Sequence, residues 1–150
     1  MADVNQKATE IRLAADDGTE FVLSDHLGAR VLLVFYPGDN TPVCTRQLCE
    51  YRDGIESFSD LGVTVVGISS DGLESHRKFR KKHELPFVLL SDEDLAVADR
   101  YGCKGLLGMK RAVFLVDEGG IIRYAHVEAL ALFKRSASEL LAVIAKLDEV

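Results

Sequence analysis

The spacing of apolar and polar residues changes several times along this chain. Glu10-Ile11-Arg12-Leu13 and Glu20-Phe21-Val22-Leu23 alternate in character around Asp16-Asp17-Gly18, which predicts an N-terminal β-hairpin. Residues 31–36 form an unbroken apolar run, the pattern of a strand buried on both faces. Beyond the turn residues 37–42 the period becomes helical. Cys44, Leu48, Tyr51, Ile55 and Phe58 fall on one stripe, and predict a helix reaching to about Leu61. Residues 63–68 are rich in β-branched side chains and read as a second buried strand. A helix over 73–83, with Asp71 as its cap, and a short strand over 87–89 follow. Ser91 or Asp92 opens a helix to about Tyr101, with Gly102 as its stop. Residues 112–116 and 121–125 pair across Asp117-Glu118-Gly119-Gly120. A last helix begins at Ser136 or Ser138 and turns Leu140, Leu141, Ile144 and Leu147 inward. This element order is α/β with a mixed β-sheet and flanking helices.

The chemistry concentrates where the first buried strand gives way to the first long helix. Pro37-Gly38-Asp39-Asn40-Thr41-Pro42 is a turn with helix-start residues at Thr41 and Pro42. Cys44 therefore lies in the first turn of a helix, where unpaired N–H groups and the helix dipole favour an anion. Such a position favours thiolate over thiol. Cys49 supplies a second thiol five residues on.

The run from Phe35 to Cys49 resembles the active site of a peroxiredoxin. The family signature Pro-x-x-x-Thr-x-x-Cys is met by Pro37, Thr41 and Cys44, and the placing of Cys49 is similar to the bacterioferritin comigratory protein (peroxiredoxin Q) branch. Further matches come in the family's order: Arg52-Asp53, Gly67-Ile68-Ser69-Ser70-Asp71, Leu90-Ser91-Asp92, Tyr101-Gly102, and Arg111 ahead of Phe114-Leu115-Val116-Asp117. The resemblance implies a thioredoxin-like fold with an N-terminal hairpin extension, spanning residues 1–150 as one domain. It also implies a thiol peroxidase acting on hydrogen peroxide and organic hydroperoxides without metal, flavin or haem. Cys44 would be oxidised to a sulfenic acid, which Cys49 would resolve to an intramolecular disulfide, and a thioredoxin-like reductant would regenerate the dithiol. Thr41 would donate and accept near the peroxide besides serving as N-cap. Arg111 would face Cys44 and hold its charge, and Pro37 would shape the pocket wall.

The chain departs from the family pattern at Val43, where Gly is usual, and at Val113, where Thr or Ser is usual; the segment 102–110 is short. The two active cysteines also pose a geometric problem. On an intact helix, residues five apart have Cα atoms on the order of 8–9 Å from each other and side chains about 140° apart. A disulfide needs a shorter span and converging Cβ vectors. Folded and locally unwound states of the Cys44 helix are therefore both expected.

Composition narrows the remaining choices. A chain of 150 residues is long enough for a substantial core. No apolar segment is of membrane-spanning length, and residues 1–7 are polar with no signal-peptide core behind them; a soluble, cytoplasmic protein is expected. The net charge of −6 argues against nucleic acid or an anionic membrane as partner. The basic run Arg77-Lys78 with Arg80-Lys81-Lys82 reads as a solvated helix face, the sharper alternative being a docking patch for an acidic reductase. Three cysteines make an odd number unsuited to a disulfide framework, and zinc lacks a second ligand pair at metal spacing. Cys103 reads as a bystander thiol, and His26, His76, His83 and His126 sit in no visible constellation. A monomer or weak dimer is expected. Two other functions remain open from the residues alone: a thiol–disulfide oxidoreductase or redox relay on the same fold, disfavoured by the lack of Cys-x-x-Cys, and a binding or holdase module with incidental thiols.

Overall fold

The apolar run becomes β3 (Arg30–Phe35), the middle strand of a five-stranded sheet in the order β5-β4-β3-β8-β9. A computed structural model describes residues 3–106, 108–128 and 137–147. β3 runs parallel to β4 (Val63–Ser69), which is parallel to β5 (Leu89–Ser91). On its other edge β3 is antiparallel to β8 (Ala112–Val116), and β8 to β9 (Ile122–Val127). The sheet is mixed, as the element order requires, and its arrangement is thioredoxin-like.

The period of two along β3 divides the core. Val31, Leu33 and Phe35 enter one cluster, with Ile11 and Phe21 of the N-terminal segment and Val97 and Tyr101. Leu32, Val34 and Tyr36 enter the other, with Cys44, Leu48, Tyr51, Phe79, Leu140 and Ile144. Thus α1 (Pro42–Asp53), α2 (Ile55–Asp60), α3 (Leu73–His83) and α5 (Ala137–Leu147) pack on one face. The hairpin β1 (Arg12–Ala14)–β2 (Glu20–Val22) and α4 (Ala96–Arg100) cover the other. The hairpin also reaches the β5 edge, where Asp16 N donates to Leu89 O at 3.0 Å and Leu89 N donates to Asp16 Oδ1 at 2.9 Å. Leu48 has no exposed surface, so Leu48→Ala should cost about 2–5 kcal/mol.

Several boundaries differ from the expectation. The helix expected to run to Leu61 is two helices, bent at Gly54 (φ −96°, ψ 9°), although Gly54 N still donates to Glu50 O at 3.0 Å. β5 starts two residues later than expected, because its parallel register with β4 pairs Leu89 with Gly67. Gly67 has a steric role: a Cβ there would lie 2.8 Å from Leu89 Cδ2 and 3.2 Å from Tyr36 Cε1. Gly72 occupies the N-cap position of α3, and Asp71 binds the loop after β3 instead of capping. α4 starts at Ala96, with Leu95 and not Ser91 or Asp92 in the N-cap position, although the Asp92 carboxylate accepts from Val97 N and Ala98 N of its first turn at 3.2 and 2.8 Å. Gly102 stops it at φ 76°. The ribbon β6 (Lys104–Gly105)–β7 (Gly108–Met109) had no apolar signature. Of the two starts expected for the last helix, Ser136 lies outside the described residues, and Ser138 lies within α5.

Candidate active site

Sheet register brings the distant residues together. Phe35 at the end of β3 pairs with Ala112 at the start of β8, so the next position, Arg111, stands beside Tyr36 where the chain turns into α1. Ala112 belongs to the cluster of Phe35 and Val113 to that of Tyr36, so alternation sends Arg111 to the α1 face. There its Nη2 donates to Cys44 Sγ at 3.2 Å and its Nη1 to Gln47 Oε1 at 2.6 Å. Gln47 Nε2 donates in turn to Tyr51 Oη at 3.1 Å. Cys44, Gln47 and Tyr51 occupy one face of α1 at spacings of three and four residues, and none has exposed surface. Arg111 itself is 2 % exposed. A guanidinium so dry needs fixed acceptors, and Cys44 Sγ and Gln47 Oε1 are two of them. Burial raises the Tyr51 hydroxyl well above the ordinary phenol range, so it remains a neutral acceptor.

Thr41 and Pro42 start α1 as the sequence indicates, with the first ladder bond running from Thr45 N to Thr41 O at 2.9 Å. The Val43 and Cys44 N–H groups therefore lie in the turn that the helix leaves unpaired. Thr41 does not cap with its side chain, contrary to expectation. Its hydroxyl donates back to Gly38 O at 3.2 Å, because the extended Thr41 backbone (φ −80°, ψ 145°) follows a tight loop. Val43 sits inside the helix, and Asn40 adopts the positive φ of 65°, a residue type that tolerates it. Pro37 and Arg111 line a cleft of about 710 Å³ together with Lys104, Leu106, Met109 and Glu128. Cys49, partly buried, is in the same unbroken helix as Cys44, and both are free thiols.

Two features of the site were not legible beforehand. One is the Gln47 bridge: the family pattern marks the position, often Glu, but only its spacing of three after Cys44 and four before Tyr51 hints at the contact. The other is a polar cluster beneath the loop. Asp39 Oδ1 accepts from Tyr36 Oη at 2.7 Å; its Oδ2 lies 2.8 Å from both Ser75 Oγ and His76 Nδ1. Asp39 N donates to Asp71 Oδ2 at 2.7 Å, and Ser69 Oγ donates to the same oxygen at 2.7 Å. Burial opposes the Asp39 charge, but the His76, Tyr36 and Ser75 donors outweigh it and hold the carboxyl below its usual range. Asp39, Asp71 and His76 present ligand atoms within 4.8 Å of one another, but mutual hydrogen bonding accounts for the cluster without a cation. The signal for His76 was its place three before Phe79 on the inner face of α3.

The remaining candidates stand apart. Arg52 Nη1 donates to His83 O at 2.7 Å and ties α1 to the end of α3, with its Nε on Asp53. Arg77 and Arg80 of the basic run bind Asp16, Lys78 pairs with Glu74, and Lys81 and Lys82 are exposed. Among the described residues no helix is long and apolar enough to cross a membrane.

Comparison with known proteins identifies the family. The profile of the AhpC/TSA family matches residues 4–125. A putative peroxiredoxin bcp of Coxiella burnetii is 42 % identical over 80 % of this chain and 85 % of its own. Peroxiredoxin Bcp of Bacillus subtilis is 39 % identical over 79 % of this chain and 80 % of its own. The crystal structure of peroxidoxin BcpB from Mycobacterium tuberculosis superposes with a TM-score of 0.86 at 28 % identity, covering 100 % of this chain and 99 % of that one. With a thiol and a guanidinium joined at a helix start on a thioredoxin-like sheet, the chain belongs to the AhpC/TSA family, on its Bcp/peroxiredoxin Q side, and is a thiol peroxidase.

Proposed function

We propose that Cys44 is the peroxidatic residue and Cys49 the resolving one. The observation that carries this reading is the 3.2 Å contact from Arg111 Nη2 to Cys44 Sγ in a fully buried setting. The Cys44 thiolate attacks one peroxide oxygen; the S–O bond forms as the O–O bond breaks. The other oxygen leaves as hydroxide or alkoxide and takes a proton to become water or alcohol. Arg111 and the first-turn N–H groups stabilise the charge as it moves from sulfur to oxygen. Thr41 reaches the peroxide by turning its hydroxyl away from Gly38 O, and Pro37 walls the cleft by which hydrogen peroxide or an organic hydroperoxide arrives. The Cys49 thiolate then attacks the sulfenic sulfur, forming S–S and releasing hydroxide, which a proton converts to water. A dithiol reductant of the thioredoxin kind returns both cysteines to thiols.

The second step needs α1 to open, since both cysteines lie in one continuous helix. Tyr51 and the Arg52 bond to His83 O hold the far end of α1, so unwinding starts at its first turns and extends toward that end. The test is peptide mapping with amide exchange before and after one equivalent of peroxide. A Cys44–Cys49 disulfide with faster exchange across residues 42–52 and unchanged β3 is expected. A Cys44–Cys103 pairing, or a Cys44–Cys49 bond with undiminished protection of that segment, contradicts the reading.

A further inference from the structure

We propose that His76 is a positioning residue for the peroxide step: a buried imidazolium, paired with Asp39, that locks the 37–41 loop over Cys44. The inference rests on the reading of Cys44 as peroxidatic, and it starts from a hydrogen-bond count. The His76 ring has no exposed surface, and both of its nitrogens face oxygen. Nε2 lies 3.0 Å from Leu90 O, a carbonyl, which accepts only; Nε2 therefore carries a proton. Nδ1 lies 2.8 Å from Asp39 Oδ2. A neutral imidazole has only one N–H, so a second proton sits between His76 and Asp39. Tyr36 and Ser75 both direct hydroxyls at the same carboxylate, an arrangement that favours Asp39 as the anion and His76 as the cation. The same donors hold the Asp39 carboxyl below its usual range although burial opposes its charge.

The groups facing this pair come from every element around it: Tyr36 at the end of β3, Asp71 after β4, Ser75 on α3, and Leu90 O in β5. Asp39 is held at both ends, by its carboxylate on α3 and by its N–H on Asp71. It sits between Pro37, which walls the cleft, and Thr41, which begins the Cys44 helix. A buried pair of charges is a poor source of stability but a strict constraint on geometry, because neither partner can leave alone cheaply. Its position explains what it constrains: the loop must be fixed while peroxide reacts and must yield when the first turn of α1 unwinds. His76 touches neither peroxide nor sulfur and acts only through the loop.

The test uses the full-length reduced protein. Nitrogen NMR at neutral pH, with the ring signals assigned by their loss in His76→Gln, should show both His76 nitrogens protonated. Rapid-mixing rates should then split by step. Asp39→Asn and His76→Gln should slow sulfenate formation roughly tenfold, short of the hundredfold that a full ångström of misplacement produces. They should not slow formation of the Cys44–Cys49 disulfide from the sulfenate, since a loosened loop opens more readily. Ser75→Ala, which keeps the pair and removes one neutral donor, should slow the first step by roughly threefold and serves where the other variants fold poorly. One unprotonated His76 nitrogen, an unchanged peroxide step, or equal slowing of both steps overturns the proposal. The ring signature is read without peroxide, so a wrong assignment of Cys44 would leave that arm standing and show instead as activity retained in Cys44→Ser.

Discussion

Cys44 and Cys103 both have no surface open to solvent, and they lie in the clusters on opposite faces of one sheet. Burial alone therefore says nothing about which is reactive. Cys44 is in the first turn of α1 and receives a guanidinium N–H at 3.2 Å. Cys103 follows α4 among Tyr101, Met109 and Phe35. Burial pushes its thiol up to about 12, and the charge of Asp92 adds to the effect. Dry surroundings suppress a thiolate until a fixed cation is supplied, after which the same dryness strengthens the attraction. The difference between the two sites is thus a difference of partner.

The widest separation is expected from exchanging the thiols themselves. Cys44→Ser should abolish peroxide consumption, Cys49→Ser should leave one turnover, and Cys103→Ala should leave steady-state turnover intact, all measured by peroxide loss. Equal single-turnover rates in wild type and Cys44→Ser would dissolve the comparison. Next comes the cation. Arg111→Ala should slow the peroxide step by roughly 10²–10³, the scale for losing one oxyanion donor. Arg111→Lys should recover only part, because an ammonium lacks the planar fork that serves Cys44 and Gln47 together. Ultraviolet thiolate absorbance should fall in both variants; if absorbance and rate are unchanged in Arg111→Ala, the cation is not the cause. Removing the support of the cation should do less. Gln47→Leu takes away a hydrogen bond to a charged group, and should slow the same step by about tenfold or somewhat more.

The smallest effect concerns Cys103. Its thiol is shifted upward from 9.0 to about 12, so the folded state keeps a proton that the unfolded state loses. Its contribution to stability is complete below pH 9.0 and is lost as pH rises toward about 12. Cys103→Ala should therefore flatten the fall of Tm in that alkaline window and hardly alter it near neutrality. In the native wild type at neutral pH, Cys103 should resist alkylation until the chain unfolds. Alkylation as fast as that of Cys49 would remove the contrast.

Local patterns made some of this site legible and not the rest. Cys44 was visible because an apolar run, a Thr-Pro helix start and a helical stripe all bear on the same few residues. Arg111 was not visible from spacing, since its place depends on the pairing of Phe35 with Ala112, a long-range register; only the family pattern pointed to it. His76 was overlooked because a polar residue on a buried helix face becomes meaningful only when its acceptors, Asp39 and Leu90 O, come from other elements. Thr41 was placed correctly as the N-cap position, but its side-chain bond was not, because the choice between the helix N–H groups and Gly38 O depends on the loop's path. The ribbon β6–β7 is short and glycine-bearing, and gave no period to read.

The most direct measurement is site-resolved trapping of sulfenic acid in full-length Cys49→Ser after one equivalent of hydrogen peroxide, with a sulfenate-specific reagent and peptide mapping. The account predicts that Cys44 carries essentially all of the label and Cys103 none, with the Cys44 label appearing markedly more slowly when Arg111→Ala is added. Label on Cys103, or labelling of Cys44 at the same rate without Arg111, would contradict it.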